Sequence, residues 1–213
     1  MRLLKVKSGL SEAIICSLAL ILFSFFIQAG LPLKIVAIIS LFVPAYFIAK
    51  NTTTQKGIRK ITGENTRAKS IIVYTIIGLS CGMILVMFYR WHLDLPLIPV
   101  KLRSFIFIAA LVGCTEELVF RGYLQGLLAE LNPAFSITFS SAAHTLYKCS
   151  LFISPFSTSG IDIGFLAFWT FVIGIVYGII RHLSGSIIPS LASHSLFDIL
   201  VYGELSGAPW WVW

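Results

Sequence analysis

CTEELVFRGYL, residues 114–124, places two carboxyl groups and one guanidinium inside an otherwise apolar run that extends from 104 to 128. That run is long enough to cross a bilayer, whose hydrocarbon core takes about 20 helical residues. A charged side chain at the centre of such a helix costs about 2.5–3.5 kcal/mol on insertion scales. Three charges in one segment therefore indicate a functional site.

The rest of the chain is equally apolar. Of its 213 residues, 57% are hydrophobic and 12% are charged, and the mean hydropathy is +0.91. This composition excludes an ordinary soluble domain and predicts an integral membrane protein. We expect an all-α fold, a polytopic membrane helix bundle of about seven transmembrane helices. The predicted segments are about 11–29, 33–49, 70–89, 104–128, 134–153, 163–180 and 187–202.

The basic residues cluster in one stretch, 50–69, which carries six Lys and Arg side chains against Glu64. Between two apolar runs, such a cluster is typical of a cytoplasmic loop. Nucleic-acid binding is disfavoured because no basic–aromatic module accompanies the cluster. With the N-terminus in the cytoplasm, ten Lys and Arg side chains, including Arg181, lie in cytoplasmic segments, and four, including Arg90, lie outside; this distribution predicts a cytoplasmic N-terminus.

We expect three divisions along the chain. Residues 1–103 form N-terminal transmembrane helices that include the basic loop, and residues 104–203 form a catalytic core of helices. Residues 204–213 form a tail whose tryptophans, three of the last four residues, predict an aromatic anchor at the membrane surface.

Helical spacing gives the charged residues of the fourth segment different roles. Glu117 and Arg121 are four residues apart, so they share a helix face and can pair. Glu116 lies about 100° around the helix from Glu117. If Arg121 neutralises Glu117, Glu116 is the carboxyl that can transfer a proton.

Two later helices carry partners for Glu116. His144 lies midway along the fifth segment, and His194 and Asp198 are four apart on the seventh. A carboxylate and an imidazole could share the proton of a water molecule. Alternatively, Glu116, His144 and His194 could hold Zn²⁺ with an open fourth position. Asp198 could orient His194 or complete the site.

Other interpretations are open. His144 alone could be a membrane histidine that is hydrogen-bonded across helices. A proton-coupled carrier could use the same residues as a relay, although such a carrier would be expected to show inverted repeats, and none is visible. A non-catalytic immunity or scaffold protein could keep the same motifs. The four cysteines share no motif spacing and are interpreted as buried free thiols.

Three motifs resemble one family. EELVFRG, residues 116–122, resembles the EExxxR motif of the CAAX prenyl endopeptidase and bacteriocin-processing family of intramembrane proteases (CPBP, or ABI). His144 in SSAAHTLYK resembles the histidine of the second motif. GSIIPSLASHSLFDILVYG, with His194 and Asp198, resembles the third motif, HxxxN/D. The resemblance extends from about 105 to 203.

The resemblance implies a role for each matched residue. Glu116 would be the catalytic base on water, helped by His144. His194 and Asp198 would stabilise the oxyanion or bind a metal. The two remaining motif residues would structure the site: Glu117 and Arg121. One position departs from the family, which often has Phe four residues before the second-motif histidine, where this chain has Ser140.

The family is divided between a metal-free glutamate mechanism and a zinc mechanism. Spacing favours the metal-free form, since Glu116 cannot at once be a tight ligand and the free base, and zinc remains the alternative.

The expected partners are membrane lipid and a membrane-tethered peptide or protein, and the eukaryotic branch implies a prenylated CAAX peptide. We expect a prokaryotic cell membrane as the setting. The sequence leaves the oligomeric state open.

Overall fold

The computed structural model describes residues 2–64, 67–157 and 160–204, so the predicted tryptophan anchor lies outside the described residues. Within these ranges the regular structure is helical, apart from one isolated bridge between Gly63 and Ser186. The predicted all-α fold is therefore confirmed. The helices are α1 (Arg2–Phe26), α2 (Leu33–Ser40), α3 (Phe42–Thr52), α4 (Gln55–Thr62), α5 (Ala68–His92), α6 (Phe105–Glu117), a π-helix (Leu118–Gln125), α7 (Gly126–Leu128), α8 (Pro133–Ile153), α9 (Ile163–Ser184) and α10 (Ile188–Tyr202).

Among the described residues, four segments are long and apolar enough to cross a membrane. They are Gly9–Phe26, Leu33–Thr52, Ala68–His92 and Ile163–Ser184. The other three predicted segments are also helical, but they do not meet the same measure of length and composition. α10, for example, has 15 residues and is about 23 Å long, which is shorter than a hydrocarbon core of about 30 Å. Seven membrane crossings therefore stay a prediction.

The second predicted segment, 33–49, is helical and lies within one candidate span, but it is divided into two helices at Leu41. α2 ends at Ser40 and α3 begins at Phe42. Pro44 explains the break, because proline has no amide N–H and its ring crowds the carbonyl four residues earlier. That carbonyl belongs to Ser40, whose hydroxyl donates to the carbonyl of Ala37 at 2.7 Å.

The basic stretch 50–69 contains a helix, α4, where the sequence predicted only a loop. The Thr54 hydroxyl accepts a hydrogen bond from the Gly57 N–H at 3.0 Å, so it satisfies an amide that the first turn leaves unpaired. Gly57 also permits close packing, because a Cβ there would lie 1.7 Å from the Asn51 carbonyl oxygen. α4 therefore folds directly against the end of α3.

The described chain divides into two compact units. The first comprises the described residues of Met1–Ile61 and Tyr123–Ile175. In it α1 packs against α2, α3, α7 and α8. Side-chain hydroxyls reach backbone carbonyls between α1 and α8: Ser24 Oγ donates to Tyr147 O at 2.7 Å. Such polar links stabilise helix pairs within a bilayer.

The second unit comprises the described residues of Thr62–Gly122 and Val176–Trp213. Its α10 packs against both α5 and α6. Small residues permit the close approach, since a Cβ at Gly78 of α5 would lie 2.3 Å from the Ser193 hydroxyl of α10. Because α10 also packs against α6, its third-motif residues lie beside the helix that carries the two glutamates of the first motif.

Candidate active site

The charged motif lies where α6 changes into a π-helix. Glu116 and Glu117 end α6, and Arg121 lies inside the π-helix Leu118–Gln125. The segment predicted over 104–128 is helical from Phe105 to Leu128, but its middle is a π-helix rather than an α-helix. A π-helix changes the hydrogen-bond pattern from i→i+4 to i→i+5, and such turns are frequent at functional sites.

The predicted pair between Glu117 and Arg121 is confirmed. Arg121 Nη1 lies 3.1 Å from Glu117 Oε1, and both side chains are fully buried. Each of these buried charges is stabilised by the other, because removing one partner would leave an uncompensated charge out of contact with water. This ion pair therefore anchors the motif.

His194 joins this pair from α10. Its Nδ1 lies 2.9 Å from Glu117 Oε1, so the ring donates its Nδ1–H to the same carboxylate oxygen that Arg121 contacts. The sequence allowed for Asp198 to orient this ring, but the orienting hydrogen bond comes from Glu117. A histidine held at one nitrogen presents its other nitrogen in a defined direction.

The second ring nitrogen of His194 faces two carboxyl groups. Nε2 lies 3.8 Å from Glu116 Oε2 and 3.7 Å from Asp198 Oδ2, and all three side chains are buried. These separations exceed a hydrogen bond. At these distances, one water oxygen could contact both His194 and Glu116, or both His194 and Asp198.

α6 and α9 supply the packing around these groups. A Cβ at Gly113 would lie 2.6 Å from Asp198 Oδ2, so a larger residue there would displace that carboxyl group. The Tyr177 ring of α9 lies 5.5 Å from the His194 ring, and its hydroxyl donates to the carbonyl of Ser193 at 3.2 Å. The sequence pattern did not identify Tyr177, because an aromatic residue in an uncharged helix is typical of a core.

Two arginines that the sequence placed among the loop charges are buried. Arg90 of α5 donates to the Leu200 carbonyl at 2.8 Å and pairs with Glu204 at 2.7 Å. Arg181 lies in the last turn of α9 and donates to the carbonyl of Gly122 at 3.4 Å. Because both arginines are buried and hydrogen-bonded, neither shows on which side of the membrane its segment ends. The cytoplasmic N-terminus therefore stays a prediction.

His144 lies in the first unit, in the middle of α8. It is buried, and its ring stacks near Tyr147, with centroids 6.5 Å apart and planes 24° apart. The burial agrees with a polar residue that faces protein rather than lipid. Its convergence with Glu116 and His194 stays a prediction.

The same residues are the candidates for metal binding. No group of three or more His, Cys, Asp or Glu side chains in the described part of the chain is arranged to hold a metal ion. The donor types present, imidazole nitrogen and carboxylate oxygen, are nevertheless those that zinc accepts. Zinc held by Glu116, His144 and His194 therefore stays the alternative to the metal-free site.

Comparison with known proteins identifies the region that contains these motifs. No curated protein and no solved structure matches the chain. Residues 98–200 match the family model described as "Type II CAAX prenyl endopeptidase Rce1-like". The match includes every predicted site residue: Glu116, Glu117, Arg121, His144, His194 and Asp198. Over this region, just under half of its length, the chain is similar to the CAAX protease (CPBP) family of membrane proteins.

Proposed function

We propose that the chain is an intramembrane endopeptidase that hydrolyses a peptide bond of a membrane-tethered substrate with water activated by Glu116. The observation that carries the proposal is the spacing around His194 Nε2, 3.8 Å from Glu116 Oε2 and 3.7 Å from Asp198 Oδ2. A water molecule between these groups would contact a proton acceptor and a hydrogen-bonding imidazole at once.

The reaction follows from the groups that surround this water. The Glu116 carboxylate accepts a proton from the water, whose oxygen attacks the scissile carbonyl carbon and forms a C–O bond. The carbonyl electron pair moves to its oxygen, which becomes an oxyanion. When the C–N bond breaks, the proton held by Glu116 passes to the leaving nitrogen, and the products are a carboxyl group and an amine.

The remaining groups stabilise charge during these steps. Because Nδ1–H of His194 is held by Glu117, a protonated ring directs its Nε2–H toward the oxyanion, as a preorganised donor does. A protonated Asp198 would supply a second donor. His144 assists the base in this proposal. In the zinc alternative, Glu116, His144 and His194 would hold the ion, which supplies a Lewis acid and a water with a pKa near 7.

The substrate that this site suits is a peptide held at the membrane. The family description names a CAAX prenyl endopeptidase, and a prenyl chain would keep the scissile bond near the bilayer surface. We therefore propose a membrane-tethered peptide, with a prenylated CAAX peptide as its first form. The proposed setting is a prokaryotic cell membrane with the N-terminus in the cytoplasm.

The test is hydrolysis by purified protein in lipid vesicles. Two peptides share one CAAX-ending sequence: one is farnesylated on its cysteine, and the other carries a transmembrane anchor instead. Mass spectrometry should find products that together weigh one water more than the peptide, and Glu64→Gln, at an exposed carboxyl outside the site, should cleave as the wild type does. Absence of product from both peptides, with folded protein, would contradict the proposal.

A further inference from the structure

A cavity of about 340 Å³ lies within the first unit, and none of the predicted site residues lines it. It is bounded by Gly9 and Glu12 at the start of one candidate span and by Lys50 and Asn51 near the end of the next. Since α1 packs against α3, these residues meet at one end of both spans. That end is where a bilayer surface would be.

The cavity is rich in basic side chains. Lys50, Lys56 and Lys60 all line it, against two carboxylates, Glu12 and Glu130. α4 brings two of the three lysines there, and Gly57 lets α4 approach the end of α3.

Both carboxylates have partners in the same unit. Glu130 Oε1 lies 2.8 Å from Lys60 Nζ. Glu12 Oε1 accepts hydrogen bonds from Asn51 Nδ2, at 2.9 Å, and from the Tyr123 hydroxyl. Lys50 and Lys56 bring two further ammonium groups to the cavity, so its lysines outnumber its carboxylates.

The cavity therefore has the chemistry of an anion site. Lys ammonium groups bind phosphate as point charges, and Thr54 also lines the cavity. Basic pockets between membrane helices bind lipid head groups. Lysines spread over a flat surface would also attract anions, but they would not surround a bound phosphate as the residues of a cavity can.

We propose that this cavity binds the phosphate group of an anionic membrane lipid, with Lys50 and Lys56 as the residues that contact the phosphate. The position at the end of two spans favours a lipid over a soluble phosphate, because a head group already lies at that depth. The site does not depend on the proposed peptidase activity, and its test measures binding only.

The experiment is native mass spectrometry of the full chain in neutral detergent, titrated with phosphatidylglycerol, with phosphatidylcholine, or with inorganic phosphate. The test variant is Lys50→Gln/Lys56→Gln. The matched control is Arg59→Gln/Lys69→Gln, which removes two exposed positive charges outside the cavity. All four positions are exposed, and retention of helicity and of elution volume confirms that both variants fold.

The test variant should weaken phosphatidylglycerol binding on the order of ten-fold or more, since each basic residue near a bilayer surface contributes about 1 kcal/mol. The control should stay within about two-fold of the wild type. The same variant pattern with inorganic phosphate, but not with phosphatidylglycerol, would support the anion site and assign it a soluble ligand. Equal losses in both variants, or no anion binding at all, would overturn the proposal.

Discussion

At the scale of single residues, the Glu117 carboxylate organises the candidate site. Its Oε1 contacts Arg121 Nη1 at 3.1 Å and His194 Nδ1 at 2.9 Å. The pair with Arg121 could be predicted from spacing, because residues four apart share a helix face. The contact between Glu117 and His194 could not be predicted in this way. Periodicity gives the helix face on which a side chain lies, but it does not identify the helix, distant in sequence, that packs against that face.

Arg121→Ala is expected to lower the free energy of unfolding by about 3–5 kcal/mol, because Glu117 would keep a buried charge without the guanidinium. Glu116→Gln should leave the melting temperature near that of the wild type, since the amide has nearly the same shape as the carboxyl group. Thermal unfolding in detergent measures both. Equal losses in the two variants would contradict the division between a structural and a catalytic glutamate.

At the scale of elements, the sequence predicted where helices lie better than how regular they are. All seven predicted segments are helical, but Pro44 divides one of them and a π-helix interrupts another. The break at Pro44 has a local chemical cause that the sequence carries. The π-helix at Leu118–Gln125 has no such signal, because hydrophobic periodicity over so short a stretch does not distinguish it from an α-helix.

The packing of α6 on α10 makes Gly113 a sensitive position. Gly113→Ala would place a Cβ 2.6 Å from Asp198 Oδ2, so this carboxyl group would have to leave its present position. We expect peptide hydrolysis to fall about ten-fold or more, with a loss of about 1–3 kcal/mol in stability from overpacking. Gly30→Ala is the matched control, since no heavy atom lies within 4 Å of a Cβ there. Equal activity of the two variants would argue against a role for the position of Asp198.

The end of α10 is joined to α5 and to the following loop by a charge pair. Arg90 Nη2 lies 2.7 Å from Glu204 Oε2, and the Val100 N–H donates to Glu204 Oε1 at 2.8 Å. The hydrogen bond from Arg90, followed by that from Val100, lowers the pKa of Glu204 below its ordinary value of 4.5. Because the folded pKa is the lower one, the carboxylate stabilises the fold above pH 4.5, and this contribution disappears as the pH falls through the folded pKa.

Glu204→Gln is therefore expected to lower the melting temperature at pH 7. The difference from the wild type should shrink as the pH falls from about 4.5 through the lowered pKa of the folded protein, at which the folded wild-type carboxyl becomes protonated. Melting curves of both proteins across this range measure the change. A difference that stays constant down to the acid limit would show that the ionised carboxylate is not what stabilises this end of α10.

At the scale of the whole molecule, composition sufficed to predict an all-α membrane protein, whereas topology needed more than charge counting. Arg90 and Arg181 entered that count as loop charges, yet both are buried and hydrogen-bonded. A buried arginine and a surface arginine look the same in a sequence. Each of the two units combines two separate stretches of the chain. This grouping depends on long-range packing, so no local sequence pattern predicts it.

The metal content of the whole protein separates the two mechanisms. We expect activity to survive chelation, because Glu116 cannot be both a tight ligand and the free base, and Glu117 is engaged by Arg121 and His194. The measurement is elemental analysis of protein purified without chelator, followed by hydrolysis before and after chelation. Stoichiometric zinc, with activity lost on its removal and regained on its return, would move Glu116, His144 and His194 into the role of ligands.

The most direct test of Glu116 as the base on water is the rate of peptide hydrolysis by Glu116→Gln beside the wild type. Both proteins are placed in the same vesicles at equal amounts, with Glu64→Gln as the control for loss of a carboxyl group. A positioned general base contributes about 10²–10⁴-fold to a rate, so Glu116→Gln should be slower by that factor while its melting temperature is unchanged. Hydrolysis by Glu116→Gln at a rate close to that of the wild type would contradict the account.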